Sequence, residues 1–211
     1  MQTLIQDLSY GVRMLLKKPG FTLIATLTLA LGIGANTAIF SAVNAVLLRP
    51  LPYEQPERLM ALYTALPTLG YPRSGLSEAE FVRLRQENQS FAEIAGWYRF
   101  GQATLRGVSE PERVAAPFCT ANFFRTLGVK VVLGRDFNPE EELAGRNTVV
   151  VLSHAFWQRK FAGDPEVIGR TLELDGAGVT VIGVAPASFK APMELQADTR
   201  IDIWRGFDMR L

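Results

Sequence analysis

The stretch FTLIATLTLALGIGANTAIFSAVNAVLL, Phe21–Leu48, contains no Asp, Glu, Lys or Arg, and its reading governs the rest of the chain. A helix rises about 1.5 Å per residue, so roughly 20 apolar residues cross the ~30 Å hydrocarbon core of a bilayer. The run is a turn or two longer than that, and residues 20–49 read as one transmembrane helix. Arg13, Lys17 and Lys18 precede it, whereas Arg49 and Arg58 after it are offset by Glu54 and Glu57. Basic residues flanking a span favour the cytoplasmic side. The N-terminus is therefore expected inside and the chain from about residue 53 outside. A cleaved signal peptide competes with this reading, with Val43 and Ala45 at small-residue positions. Signal cores, however, run only about 7–15 residues.

Upstream, Leu4, Ile5, Leu8, Val12, Leu15 and Leu16 recur at three- and four-residue spacing. That periodicity predicts an amphipathic helix over residues 1–19, lying in the membrane plane on the cytoplasmic side. Pro19 and Gly20 then permit a turn into the span.

The span is not patterned like a helix that faces lipid on every side. Ala30, Gly34, Ala38 and Ala42 repeat every four residues as a small-residue ridge, which lets another helix backbone approach closely. About 200° around lie Thr28, Gly32, Asn36 and Asn44, and an Asn in hydrocarbon needs a hydrogen-bond partner. Two faces thus call for protein, and the packing residues are expected to be Ala30, Gly32, Gly34, Asn36, Ala38, Ala42 and Asn44. The next most apolar stretch, Val179–Ala187, is far too short to span. Partner helices are therefore expected from outside these 211 residues.

From Tyr53 onward the chain carries 18 basic and 20 acidic residues, which does not suit a nucleic-acid surface. Cys119 is the single cysteine, so no internal disulfide forms, and His154 is the single histidine, so no multi-histidine metal site exists. There is no GxxxxGK[ST] phosphate loop, and no GxSxG elbow accompanies Ser153 and His154. Glu140, Glu141 and Glu142 read as a solvated acidic turn. We expect no enzyme activity and no cofactor.

Secondary-structure signals after the span are short and mixed. Strands are expected at Arg58–Thr64, Trp97–Arg106, Glu112–Phe118, Thr148–Leu152 and Ile201–Trp204, with a hairpin over Arg170–Val184. Helices are expected after the Ser77–Glu80 capping box, near Phe91–Ala95, at Ala121–Leu127, and at His154–Phe161 after Ser153. Leu133–Gly145 reads as loop, and the chain after Pro186 as irregular. The absence of a long-helix βαβ rhythm argues for an α+β extracytoplasmic domain.

Several stretches together resemble a known family. KPGFTLIATLTLALGIGANTAIFSAVNAVLLRPLPY (Lys18–Tyr53) is similar to the first membrane helix of MacB/FtsX-type ABC transporter permeases, and more narrowly of acidobacterial-type duplicated orphan permeases. The resemblance continues through EPERV (Glu110–Val114), TANFFRTLGV (Thr120–Val129), LGRDF (Leu133–Phe137), VVVLSHAFWQRKFAGDPEVIGRTLELDG (Val149–Gly176) and VTVIGVAP (Val179–Pro186). It implies a MacB-like periplasmic core domain over residues 53–211, held at the bacterial inner membrane. It further implies a permease that passes conformational change from a cytoplasmic ABC ATPase to a periplasmic domain acting in export or efflux. Family members continue into further membrane helices, so the domain is expected to be incomplete at its C-terminus and the chain to be an N-terminal fragment. The alternative is a membrane-anchored extracytoplasmic sensor or binding module acting alone. The intact mass of membrane-extracted protein separates anchor from signal peptide: a chain starting at residue 1 is expected, and a product starting near Val46 contradicts the anchor.

Overall fold

The computed structural model describes residue 10 and residues 13–43, 53–66, 70–98, 101–108, 110–143, 145–196 and 200–208. The chain divides into two units, Met1–Leu51 and Pro52–Leu211.

In the first unit, helix α1 (Pro19–Val43) has no acidic residue in its first turn and no basic residue in its last. Pro19 opens it, because a proline at the first helical position lacks only an N–H that would be unpaired anyway. Residues 13–17 are also helical, and the break falls at Lys18, since the residue before a proline is pushed out of the helical region. Thr22 crosses the break: its hydroxyl donates to the Leu15 carbonyl at 2.7 Å and to that of Lys18 at 3.1 Å. Of the expected amphipathic face, Leu15 and Leu16 are exposed. Leu4, Ile5, Leu8 and Val12 lie outside the described residues, as do residues 44–49 of the expected span.

The second unit is built on a mixed sheet. Its strands are β3 (Trp97–Tyr98), β4 (Gln102–Arg106), β5 (Glu112–Ala115), β6 (Phe118–Cys119), β7 (Leu133–Gly134), β8 (Val149–Leu152), β9 (Thr171–Leu174), β10 (Ala177–Val184) and β11 (Ile203–Gly206). Their order is β3-β6-β11-β8-β10-β9-β4-β5, with β7 paired to the end of β10. β8 runs parallel to β10, and β6 to β11; the other pairs are antiparallel. Beside the sheet stand α2 (Glu78–Gln86), α3 (Phe123–Thr126), α4 (His154–Phe161), α5 (Pro192–Gln196) and a separate antiparallel pair, β1 (Thr64–Leu66) with β2 (Tyr71–Ser74). Mixed helices and sheet make the domain α+β, as the sequence pattern implies.

The central strands are apolar on successive residues because both faces of the sheet are covered. Val150, Leu152, Val181 and Ile203 enter one core with Leu105, Val114, Phe156, Val167 and Leu172. Val151, Ile182 and Trp204 enter the other, which is aromatic: Phe123, Phe124 and Phe137 lie there, with Phe189 packed against it. Phe124 meets Trp204 edge-on at 5.7 Å between ring centroids and Phe189 at 5.4 Å.

The sheet also curls. Glu112–Cys119 supplies both β5, at one end of the strand order, and β6, next to the other end. The bend between them is held from three sides. The Ala116 N–H donates to the Gly101 carbonyl at 2.6 Å, and the Arg205 N–H donates to that of Pro117 at 3.0 Å. A Cβ at Gly101 would lie 2.4 Å from the Ala116 carbonyl oxygen, so only glycine fits. Asp202, buried just before β11, forms the third hold. Its Oδ2 accepts the Ala115 N–H at 3.1 Å, its Oδ1 accepts Arg159 Nη2 at 2.9 Å, and its backbone pairs with Ala115 and Ser153.

Several expectations change, and Trp97–Arg106 and Glu112–Phe118 each divide between two strands, β3 with β4 and β5 with β6. In place of a strand at Arg58–Thr64, Pro56 starts a 3-10 turn (Pro56–Arg58), and the strand begins only at Thr64. Phe91–Ala95 is not helical. The Asn88 side chain accepts the N–H groups of Ser90 and Phe91 and donates to the Phe91 carbonyl, substituting a side-chain turn for a helix. Leu133–Gly145 carries β7 and a 3-10 turn at Pro139–Glu142. Beyond Pro186 the chain forms α5 before β11. The capping box is as expected, with Ser77 Oγ accepting the Glu80 N–H and Glu80 Oε2 accepting that of Ser77 at 2.8 Å.

Asp202→Ala leaves the partly buried Ala115 N–H without its acceptor and releases Arg159. The expected loss is about 2 kcal/mol of unfolding free energy, read by denaturant titration of Trp204 fluorescence. Asp202→Asn, which keeps one acceptor, is expected to lose less.

Candidate functional site

The residues expected to pack against other helices lie along α1. Ala30, Gly32, Gly34, Asn36 and Ala38 are all exposed, and a Cβ built on Gly32 or Gly34 meets nothing within 4 Å. Ala42 belongs to the same helix, while its side chain and all of Asn44 lie outside the described residues. Thr28 satisfies its hydroxyl within the helix by donating to the Ile24 carbonyl at 2.9 Å. That removes Thr28 from the groups needing an outside partner. Asn36 has no such bond among the described residues. One helix among those residues is long and apolar enough to cross a membrane, Pro19–Ser41.

On the domain, the nucleophile and base candidates of the sequence sit in structural positions. Ser153 Oγ accepts the Phe156 N–H at 3.2 Å as a helix cap, and His154 lies edge-on to Trp157 at 5.4 Å. Cys119 is fully buried in β6, and burial pushes its thiol up, aided by the Asp136 and Glu142 carboxylates. No group of three or more His, Cys, Asp or Glu among the described residues could share a metal ion.

The glutamate triplet is not a solvated turn throughout. Glu140 faces solvent near Arg146. Glu141 pairs with Arg135 through both carboxylate oxygens and accepts the Asn138 N–H. Glu142 is buried, accepting Arg85 Nη1 at 2.7 Å and the Ala121 N–H. It therefore ties α2 to the segment before α3. Arg85, 57 positions upstream, is the partner that adjacency in sequence does not reveal.

Asp136 is a further group without a sequence signature. It is half-buried and accepts the Phe137 N–H at 2.7 Å. Burial raises its pKa from 3.8 to about 6; the Phe137 bond and Arg125 lower it, and Glu141 adds to the rise. The opposite holds for Glu112, where the bond from Lys160 lowers the pKa, and for Glu93 and Glu141. In those two, burial is the largest single effect and raises it, but the lowering effects together outweigh it: Arg125, Thr126 and Asn122 at Glu93, and Arg135 with the Asn138 N–H at Glu141.

Taken together, the apolar span and the sheet-rich unit define a membrane-anchored protein with an α+β extracytoplasmic domain. The profile of the MacB-like periplasmic core domain matches residues 22–205, and the chain belongs to that family. No curated protein sequence matches it. Among solved structures it is similar to the periplasmic region of MacB from Actinobacillus actinomycetemcomitans, with 16% identity over 67% of this chain and 69% of that one and a TM-score of 0.47. It is also similar to the extracellular domain of the noncanonic ABC-type transporter YknZ from Gram-positive bacteria. There the identity is 17%, the TM-score is 0.38, and the match covers 51% of this chain and 50% of that one. The chain thus spans about half the length of the YknZ domain it matches.

A carboxyl whose folded pKa lies above its unfolded value costs stability while ionised, and that cost fades as pH falls through the folded value. Asp136 is expected to stabilise the domain as pH falls from 7 towards 5. The lowered carboxylates Glu93, Glu112 and Glu141 lose their contribution only below their unfolded pKa, near 4.5. Melting temperatures at pH 7 and pH 5 check this: Asp136→Asn should flatten the rise between them.

Proposed function

We propose that the chain supplies a membrane span and the extracytoplasmic domain of an ABC-type permease of the MacB/FtsX kind. In this reading residues before the span are cytoplasmic and the domain from about residue 53 is periplasmic. The assembly passes conformational change from a cytoplasmic ATPase to that domain, which acts in export or efflux. The carrying observation is that the family match begins at residue 22, inside α1, and runs to residue 205, inside β11. Span and domain therefore form one inherited unit, which a detachable anchor would not require.

The surface of α1 supports the same reading. Apolar lipid tails give membrane helices no hydrophobic reason to associate, so association relies on close backbone packing and interhelical hydrogen bonds. Gly34 with Ala30, Ala38 and Ala42 offers the first, and Asn36 with Asn44 the second. Gly32 lies on the second ridge beside Asn36. These 211 residues hold no GxxxxGK[ST] phosphate-binding loop, and in this reading a separate ATPase hydrolyses the nucleotide.

Gly34→Leu combined with Asn36→Leu fills the small ridge and removes the amide while keeping the helix apolar. Co-purification of helix-bearing or ATPase subunits from native membranes is expected to fall roughly tenfold, the equivalent of 1–2 kcal/mol of helix association. Unchanged recovery contradicts the bundle.

A further inference from the structure

Segments that join two units of a chain often run as exposed linkers with few contacts. Here the segment Tyr53–Leu59 is built into the domain instead. The Tyr53 ring and the Leu59 side chain pack against the aromatic core, with the 3-10 turn Pro56–Arg58 between them. The Arg58 N–H donates to the Gln55 carbonyl and its guanidinium to the Gln55 side chain at 2.8 Å, stiffening the turn. Glu54 lies across the end of α3. A Cβ on Gly128, whose φ is +69°, would stand 2.5 Å from the Glu54 Cβ. That position therefore needs glycine for both conformation and space.

The contacts continue inward. Tyr53 donates its hydroxyl to the Lys190 carbonyl at 3.0 Å. Burial, and then the Glu194 carboxylate, push the phenol up, so it keeps the proton it donates. Glu194 accepts the Ala191 N–H through Oε2 at 2.8 Å and the Ile201 N–H through Oε1 at 3.1 Å. Ile201 adjoins Asp202, whose carboxylate holds Ala115 and Arg159. A continuous series of hydrogen bonds and single peptide links thus leads from Tyr53 to the residue that holds the curled sheet.

We propose that Tyr53–Leu59 is a mechanical joint that delivers displacement of the membrane helix to Lys190–Glu194, and through Glu194 to Ile201 and Asp202. The joint rests on the reading of the chain as a permease component and specifies where its motion enters the domain. Energetic coupling of this kind is carried by packed side chains and hydrogen-bond networks, and it needs a direct coupling measurement.

The test uses the full chain in nanodiscs of short-chain (C14) and long-chain (C22) phosphatidylcholine. Hydrophobic mismatch changes the tilt of the span and so supplies the mechanical input. Amide hydrogen exchange is read at Ala191 and Ile201, with β8 and β10 as internal reference. A thickness-dependent change of about fivefold is expected at Ala191 and Ile201, the size that one hydrogen bond of ~1 kcal/mol confers. The reference strands should stay constant. Tyr53→Phe keeps the ring and removes only the hydroxyl, and should abolish the dependence. Gly128→Ala, which displaces Glu54, should weaken it. Exchange that ignores thickness in the native chain, or a dependence that persists in Tyr53→Phe, overturns the joint. Because the readout needs no partner subunit, its failure would leave the permease reading standing, and failure of subunit co-purification would leave the joint standing.

Discussion

The buried carboxylate of Asp202 is the interaction on which the extracytoplasmic domain depends. A segment that supplies strands near both ends of one sheet must bend, and the bend exposes backbone groups that neither strand ladder can pair. Asp202 meets that need at the Ala115 N–H, and its second oxygen holds Arg159 on α4. Its own carbonyl receives the Ser153 N–H at the start of that helix. One side chain thus links the curl of the sheet, the helix on one face and the entry to β11. Arg159 and Lys160 both reach Glu112 on β5, so the hold extends to the edge strand.

The two cores meet along β8, β10 and β11, whose side chains alternate between an aliphatic side and an aromatic side. Tyr53 and Leu59 touch the aromatic side, as do Trp204, Phe189 and Phe124. Large rings fill that core through edge-on and tilted contacts, an arrangement that resists gradual deformation and transmits displacement. Tyr53 and Leu59, which follow the span in sequence, therefore pack on this aromatic core.

Much of this was legible wherever the determining interaction is local. The uncharged run marks α1, the Ser77–Glu80 box marks α2, and Ser153 marks α4. The turn residues Asp175–Gly178 between two strand-like runs mark the β9–β10 hairpin. Long-range pairing was not legible. Asp202 bonds a residue 87 positions away, and Glu142 one 57 positions away, so neither differs in sequence from an ordinary surface carboxylate. The acidic triplet looked uniform and divides into an exposed, a paired and a buried member. The expected helix at Phe91–Ala95 failed because one side chain, Asn88, supplies the turn's hydrogen bonds more cheaply than a helix would. In the span, the positions that share a face follow from helical spacing alone.

The central claim is that α1 lies against protein on its small-residue face. A photoreactive amino acid at position 34, activated in native membranes, tests it most directly. The account predicts adducts with a membrane polypeptide from that position, and only lipid adducts from Ile33, which lies between the two ridges. Lipid adducts alone at position 34 would contradict it.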